Sequence, residues 1–233
     1  MDKKVEIEWL DFLAFRLKEN KNYNELRKEL DNRLQDVING SESRRKYLDV
    51  HMRIWVTVPS EHEQLRDKAL TFLSSTTSQE RLALHWGLCL LAFELFKDVS
   101  NVIGKLFNLD DKITLAQVHN RIIETWGDRT TLIYAVQRML RSMAKWGVLN
   151  EPQKKKGFYV PAEKIQLFDK ELKLWLLECY LTCLDKKSVS LQSLNEVPVL
   201  FPFDMVVKLG DLVASDRFEV NRQGLDVDMV ELR

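Results

Sequence analysis

The chain repeats apolar side chains every three or four residues over most of its length, which is the spacing of one face of an α-helix. The pattern runs through residues 5–18 and continues in further segments to about residue 109, with interruptions at Pro59 and at the Ser/Thr run 74–78. Glycine and proline are scarce, with 8 and 5 in 233 residues, so few positions disfavour helix. The pattern therefore predicts a mainly α fold that begins with a multi-helix N-terminal bundle.

The pattern changes in residues 112–161, which form the most informative segment. Apolar spacing predicts a helix over 115–126, a break at Gly127, and a second helix over about 129–146. A polar loop over about 151–157 then separates two short apolar runs of strand character. The predicted order is helix, short turn, helix and β-hairpin.

The C-terminal part has the same order in a weaker form. A helix is predicted over 164–184, Asp204 is predicted to cap a short helix that follows it, and a hairpin is predicted over 218–232. These patterns divide the chain into three predicted regions: an N-terminal helical region over 1–78, a helix-and-hairpin domain over 79–163, and a C-terminal helix-plus-hairpin segment over 164–233.

The charge distribution points to one stretch of the chain. There are 35 basic and 35 acidic residues, so any nucleic-acid surface must be local. Residues 112–161 hold nine basic and three acidic side chains. On the predicted helix 129–146 the apolar residues fall on one side, and a polar, mostly basic stripe falls on the other. The stripe, Arg129 at the start of the helix, and the loop supply the candidate DNA contacts: Arg129, Thr130, Tyr134, Gln137, Arg138, Arg141, Lys145, Lys154, Lys155 and Lys156.

These residue types suit double-stranded DNA. Gln137 and Arg138 can form paired hydrogen bonds with adenine and guanine edges in the major groove. The lysines of the loop, Lys154–Lys156, suit phosphates or the minor groove. A basic stripe is also common on a helix face that only meets solvent, and this alternative stays open at the level of the sequence.

The run Leu140–Leu149 ends in Lys145-Trp146-Gly147-Val148-Leu149. It resembles the point where winged-helix proteins pass from the recognition helix to the wing. Together with the element order, the resemblance covers about 50 residues. It implies a winged-helix domain over 79–163 that binds DNA without catalysis, with a recognition helix at about 129–146 and a wing at about 151–157. Winged helices also serve as protein-contact modules, so a protein–protein adaptor or scaffold is the alternative function.

A helical N-terminal half followed by such a segment is similar in layout to the BrxA-type proteins of BREX phage-defence systems. The similarity rests on the strings Asn32-Arg33-Leu34-Gln35, Arg44-Arg45-Lys46 and Trp126-Gly127-Asp128-Arg129-Thr130-Thr131, followed by Gly147-Val148-Leu149. It implies a bacterial, non-catalytic, DNA-binding component of a defence or regulatory system. The long C-terminal extension departs from that layout.

The C-terminal extension is acidic. From Leu200 to Arg233 the chain has seven acidic and four basic residues. A surface of that charge repels phosphate. We therefore assign this region to packing or to contact with protein partners, whereas double-stranded DNA is the partner expected for the basic segment.

The sequence has no signature of catalysis, of a metal site or of a cofactor site. A phosphate-binding glycine loop is missing, and His-Glu-x-x-His, Gly-x-Ser-x-Gly and Cys-x-x-Cys strings do not occur. Cys179 and Cys183 fall on one helix face, but no histidine or further cysteine lies near them in the sequence. The missing catalytic motifs favour a protein that is not an enzyme. Three cysteines and an N-terminus without an apolar leader favour a reduced, cytoplasmic protein that does not enter a membrane.

Overall fold

The computed structural model describes residues 3–20, 22–152, 157–184, 188–223 and 227–233. Within these ranges the chain is mainly helical, as predicted. The helices are α1 (Ile7–Glu19), α2 (Tyr23–Leu34), α3 (Ser41–Trp55), α4 (Glu63–Phe72), α5 (Arg81–Ala92), α6 (Glu94–Phe107), α7 (Leu115–Trp126), α8 (Thr130–Lys145), α9 (Lys170–Thr182), α10 (Leu191–Asn195) and α11 (Leu209–Val213). In these same ranges no helix is both long enough and apolar enough to cross a lipid bilayer.

The strands are short and form three small sheets within the described residues. They are β1 (Ile113–Thr114), β2 (Leu149–Asn150), β3 (Phe158–Pro161), β4 (Ile165–Gln166), β5 (Ser188–Ser190), β6 (Phe203–Asp204), β7 (Phe218–Gln223) and β8 (Val227–Leu232). Two sheets are antiparallel, with the strand orders β1-β3-β2 and β5-β8-β7, and β4 pairs in parallel with β6. The strand pairs of both predicted hairpins, near 148–160 and over 218–232, are therefore present.

The two antiparallel sheets belong to segments of the same topology. In the first segment β1 leads into α7 and α8, and β3 then lies between β1 and β2. In the second segment β5 leads into α10 and α11, and β8 then lies between β5 and β7. The second segment also contains a 3₁₀ turn (Pro198–Leu200) and β6 between its helices, and α11 has 5 residues where α8 has 16.

The C-terminal third has less helix than its apolar spacing predicts. The helix predicted over 164–184 begins only at Lys170, and Asp204 lies in a strand instead of capping a helix. Both differences have one cause. Residues 165–166 (β4) and 203–204 (β6) form a parallel strand pair, so their backbone is extended and not helical. Hydrogen bonds between strands distant in the chain therefore replace the local helical bonds that the sequence favours.

A single hydrophobic core includes residues from all three predicted regions. Trp86 on α5 lies at its centre, with its ring centroid 4.9 Å from that of Phe96 and 6.0 Å from that of Trp146. From the C-terminal side, Phe201 and Phe203 also meet this ring edge to face. These contacts attach the segment that carries α8 to the remainder of the fold.

Buried His51 joins α3 to the N-terminal segment. Its Nδ1 lies 2.9 Å from the carbonyl oxygen of Tyr47, and its Nε2 accepts the backbone N–H of Glu6 at 3.3 Å. Nδ1 therefore carries the proton and donates it to the carbonyl, so that the ring is neutral. Burial lowers the pKa of His51 to about 4.

We expect this histidine to make the protein less stable in acid. Below about pH 6.5 the unfolded chain takes up a proton on His51 and the folded protein does not. Its contribution to the free energy of unfolding is thus complete at about pH 7 and falls by roughly 2.5 kcal/mol by about pH 4.5. Urea denaturation of the parent and of His51→Gln at these two pH values measures the effect, and the variant should lose less stability between them. An equal loss in both proteins would contradict this assignment.

Candidate nucleic-acid interface

Local sequence signals mark the start of α7 and the turn between α7 and α8, the two helices of the candidate interface. Thr114 caps α7 in a reciprocal capping box with Gln117, as the Thr-x-x-Gln spacing indicates. Gly127 follows α7 with a positive φ of 73°, a conformation that favours glycine, and the chain turns there. The next helix, α8, covers 130–145, close to the predicted 129–146.

The rotation of α8 about its axis is set by its apolar side. Leu132, Val136, Met139, Leu140 and Met143 are all buried, and Ile133 is half-buried. These side chains face α7 and the core, so the opposite side of the helix must face outward. The division into a buried and a polar side agrees with the apolar spacing in the sequence.

The polar stripe lies on the outward side of α8. Arg129, Thr130, Tyr134, Arg141 and Lys145 are exposed, with Tyr134 at 53%. Gln137 and Arg138 are half-buried at the middle of the helix. The structure thus brings seven of the ten candidate side chains together, whereas Lys154, Lys155 and Lys156 lie outside the described residues.

Most of the positive charge of the stripe has no internal counter-charge. Arg129, Arg138 and Arg141 form no ion pair with any other residue in the described ranges. The N-cap residue of α8, Arg129, forms no side-chain cap, so the first N–H groups of the helix have no side-chain acceptor from it. Both features favour binding of an anion at this side of the helix.

Lys145 is the exception, because it is held by the N-terminal segment. Its Nζ lies 2.5 Å from Oε1 of Glu6, and the other carboxylate oxygen accepts the hydroxyl of Tyr47 at 3.0 Å. Partial burial opposes ionisation of Glu6, but the hydrogen bonds from Lys145 and Tyr47 outweigh it and lower the pKa of that carboxyl. Lys145 remains 52% exposed.

Sequence reasoning missed this contact between residues 139 positions apart. The only signal for it is Val5, an apolar residue in the charged run Lys3-Lys4-Val5-Glu6. Val5 is fully buried in the structure. A lone apolar residue among charges is compatible with many environments, and it does not identify its partner.

The single acidic residue in the sequence of the hairpin beside α8, Glu151, interacts within the hairpin. Burial, together with a hydrogen bond to Glu151, raises the pKa of Tyr159 to about 12. The tyrosine lies on β3 and pairs with Ile113 of β1. Glu151 is therefore engaged within the hairpin, close to the start of the predicted wing.

Outside this region the buried polar groups stabilise the fold. His85 Nδ1 accepts the indole N–H of Trp55 at 3.0 Å, and its Nε2 lies 3.1 Å from the carboxylate of Asp11. Both ring nitrogens are engaged, so neither is available to take a proton from a substrate. Within the part of the chain that the structure describes, no three His, Cys, Asp or Glu side chains are placed to share a metal ion.

Comparison of the chain with protein-family models, with curated proteins and with solved structures gives no match. The functional interpretation therefore depends on the geometry and charge of α8 and its surroundings.

Proposed function

We propose that this chain is a non-catalytic protein that binds double-stranded DNA, with α8 as its recognition helix. One observation carries the proposal: Arg138 and Arg141 on the outward stripe of α8, and Arg129 at its N-cap, have no ion-pair partner in the described ranges. Uncompensated guanidinium groups on and beside a fixed helix favour a polyanion. Phosphates and guanine edges both suit the forked geometry of arginine.

The topology around α8 supports a winged-helix interpretation of residues 94–161. A helix, a short strand, two helices and a hairpin follow in that order, with β3 between β1 and β2. In proteins of this kind the second helix of the helix-turn-helix enters the major groove. The similarity in layout to BrxA-type proteins adds the further proposal of a role in bacterial phage defence or regulation, and that part depends on the sequence strings alone.

The side chains divide into two groups by their position on α8. Gln137 and Arg138, half-buried at the middle of the helix, are proposed to meet base edges. Arg141 and Lys145 lie further towards the helix end and are proposed to contact phosphates. Thr130 at the exposed start of the helix is proposed to bind a phosphate together with the uncapped N–H groups.

The C-terminal segment favours a second candidate function, that of a protein-contact module. It has the topology of the α8 segment but an acidic composition. Arg217, one of its four basic residues, is paired with Glu171 and Glu178 of α9, with 2.9 Å between the charged atoms in each pair. The remaining surface is therefore still more acidic, which suits a basic protein partner better than DNA.

We expect the chain to shift duplex DNA of unrelated sequences at about 50 mM salt, and to lose affinity steeply as salt rises. With about four phosphate contacts, the logarithm of the binding constant should fall against the logarithm of salt with a slope of roughly −4. Gel shifts or fluorescence anisotropy over about 50–200 mM salt measure this slope. A chain that does not bind duplex DNA at low salt but copurifies with a stoichiometric protein partner would instead support the adaptor function.

A further inference from the structure

Two lysines outside α8 extend its positive surface. Lys3 and Lys4 precede Val5 in the N-terminal segment, which lies between the C-terminal half of α8 and the helix α3. Neither lysine belongs to the helix-and-hairpin segment, and the sequence offers no reason to associate them with it. Their position follows from the contacts that Val5 and Glu6, the next two residues, make with α8 and α3.

The backbone of the segment is fixed on α8 at Val5. Its N–H donates to Oγ of Ser142 at 2.9 Å, and its carbonyl oxygen accepts the indole N–H of Trp146 at 3.0 Å. The side chain of Val5 and that of Ser142 are fully buried. Next to it, Glu6 donates its N–H to His51 of α3. The backbone of the segment is therefore fixed on the surface, so that binding through Lys4 orders its side chain but not the chain that carries it.

The positive groups of the segment are continuous with those of α8. Lys4 lies beside Lys145 and within electrostatic reach of Arg141, and the pKa of Lys4 is lowered chiefly by its contact with Lys145. Oε1 of Glu6, 2.5 Å from Nζ of Lys145 and 4.0 Å from Nζ of Lys4, offsets part of the repulsion between these two ammonium groups, and a bound phosphate would offset more of it. Lys3 extends the positive surface away from α8 and towards α3, since its Nζ lies 3.4 Å from Oγ of Ser43 in the first turn of α3.

Carboxylates in and beside the same surface reduce its charge, among them that of exposed Glu8, whose charge acts on the hydroxyl of Tyr47. Glu6 is shared between Lys145 and Lys4, with 4.0 Å to the latter, and Glu42 pairs with Lys46 of α3 at 2.8 Å. We call the surface formed by Lys3, Lys4, Lys46, Arg141 and Lys145 the basic track. With Glu6, Glu8 and Glu42 against these five cationic groups, the basic track keeps a net positive charge.

We propose, on the basis of the DNA-binding function, that the basic track is a second phosphate-binding surface and that duplex DNA held on α8 runs along it towards α3. The N-terminal helical region would then take part in binding through the sugar-phosphate backbone and would read no bases. Specificity would reside on α8, and part of the affinity would reside on the segment that precedes α1.

The test is the double variant Lys3→Gln/Lys4→Gln, which leaves the buried contacts of Val5 and Glu6 in place. Its matched control is Lys170→Gln/Lys208→Gln, which removes the same charge from two exposed positions in the C-terminal third. Anisotropy with one labelled duplex over a salt series gives the slope for each protein. Removing two phosphate contacts should reduce the magnitude of the slope by about 1.8 and weaken binding roughly tenfold or more at about 0.1 M salt.

The control should keep the slope of the parent. If the Lys3/Lys4 variant binds with the slope of the control, the part of the basic track outside α8 does not contact DNA, and the proposed function of α8 stands. If the parent itself fails to bind duplex DNA at low salt, both proposals are overturned. Circular dichroism and thermal denaturation should show the same fold and stability in all three proteins, because both lysines are partly exposed and lack a buried partner.

Discussion

Reversing two arginines on α8, in the variant Arg138→Glu/Arg141→Glu, should reduce the affinity for duplex DNA at least 100-fold at about 0.1 M salt. The change removes two cations and adds two anions, and removing one phosphate interaction lowers the magnitude of the salt slope by nearly one unit. Neither arginine forms an ion pair with another described residue, so the fold does not depend on their charge. Anisotropy gives the affinity, and circular dichroism with thermal denaturation tests the fold.

The matched control for this reversal is Lys170→Glu/Lys208→Glu, which makes the same change in net charge away from α8. It should bind nearly as tightly as the parent, because long-range electrostatics are screened beyond about 8–10 Å at this salt. Equal binding by the parent and the α8 variant, with the same salt slope, would show that α8 is not a recognition helix. The adaptor function would then be the better explanation of the fold.

Gly104→Ala should destabilise the protein by about 3 kcal/mol or more, although it adds a single methyl group. A Cβ at position 104 would lie 1.9 Å from the carbonyl oxygen of Pro198 and 2.5 Å from its carbonyl carbon. These are backbone atoms of the 3₁₀ turn at 198–200, so no change of side-chain rotamer relieves the clash. The helix α6 must move away from the turn, which opens the core around Phe201. Urea denaturation at about pH 7 measures the loss.

Gly210→Ala provides the comparison within the same chain. Gly210 is in the helix α11, and a Cβ there would meet nothing within 4 Å. Alanine is favoured over glycine in a helix by roughly 0.5–1 kcal/mol, so this variant should be as stable as the parent or slightly more stable. Similar stabilities for the two alanine variants would mean that α6 and the turn are not packed as closely as the structure indicates.

The sequence predicted the site helix well because its information is local. The buried side of α8 follows from apolar residues three and four apart, and the start of α7 follows from the spacing of Thr114 and Gln117. Gly127 marks the turn because glycine adopts a positive φ at little cost. Each of these signals lies within a few residues of the feature that it predicts.

Features that depend on tertiary contacts were not predictable in this way. The apolar run that begins near residue 80 predicts a continuous helix through Phe96, but the structure breaks it at Phe93, which has an extended backbone. No glycine or proline marks that break. Phe93 is buried, with the guanidinium of Arg53 5.0 Å from the centre of its ring. The break is therefore associated with packing of Phe93 against α3 and not with a helix-breaking residue.

The contacts of Val5 also constrain the order in which the protein folds during synthesis. The ribosome makes Val5 long before its hydrogen-bond partners Ser142 and Trp146, which are 137 and 141 positions later. Closing so long a loop is slow and costs chain entropy until α8 exists to receive the segment. Glu6 can contact His51 and Tyr47 once α3 has formed, but Val5 cannot complete its contacts before α8 has formed. Val5 therefore binds to α8 and Trp146 late in folding. This step completes the surface beside α8.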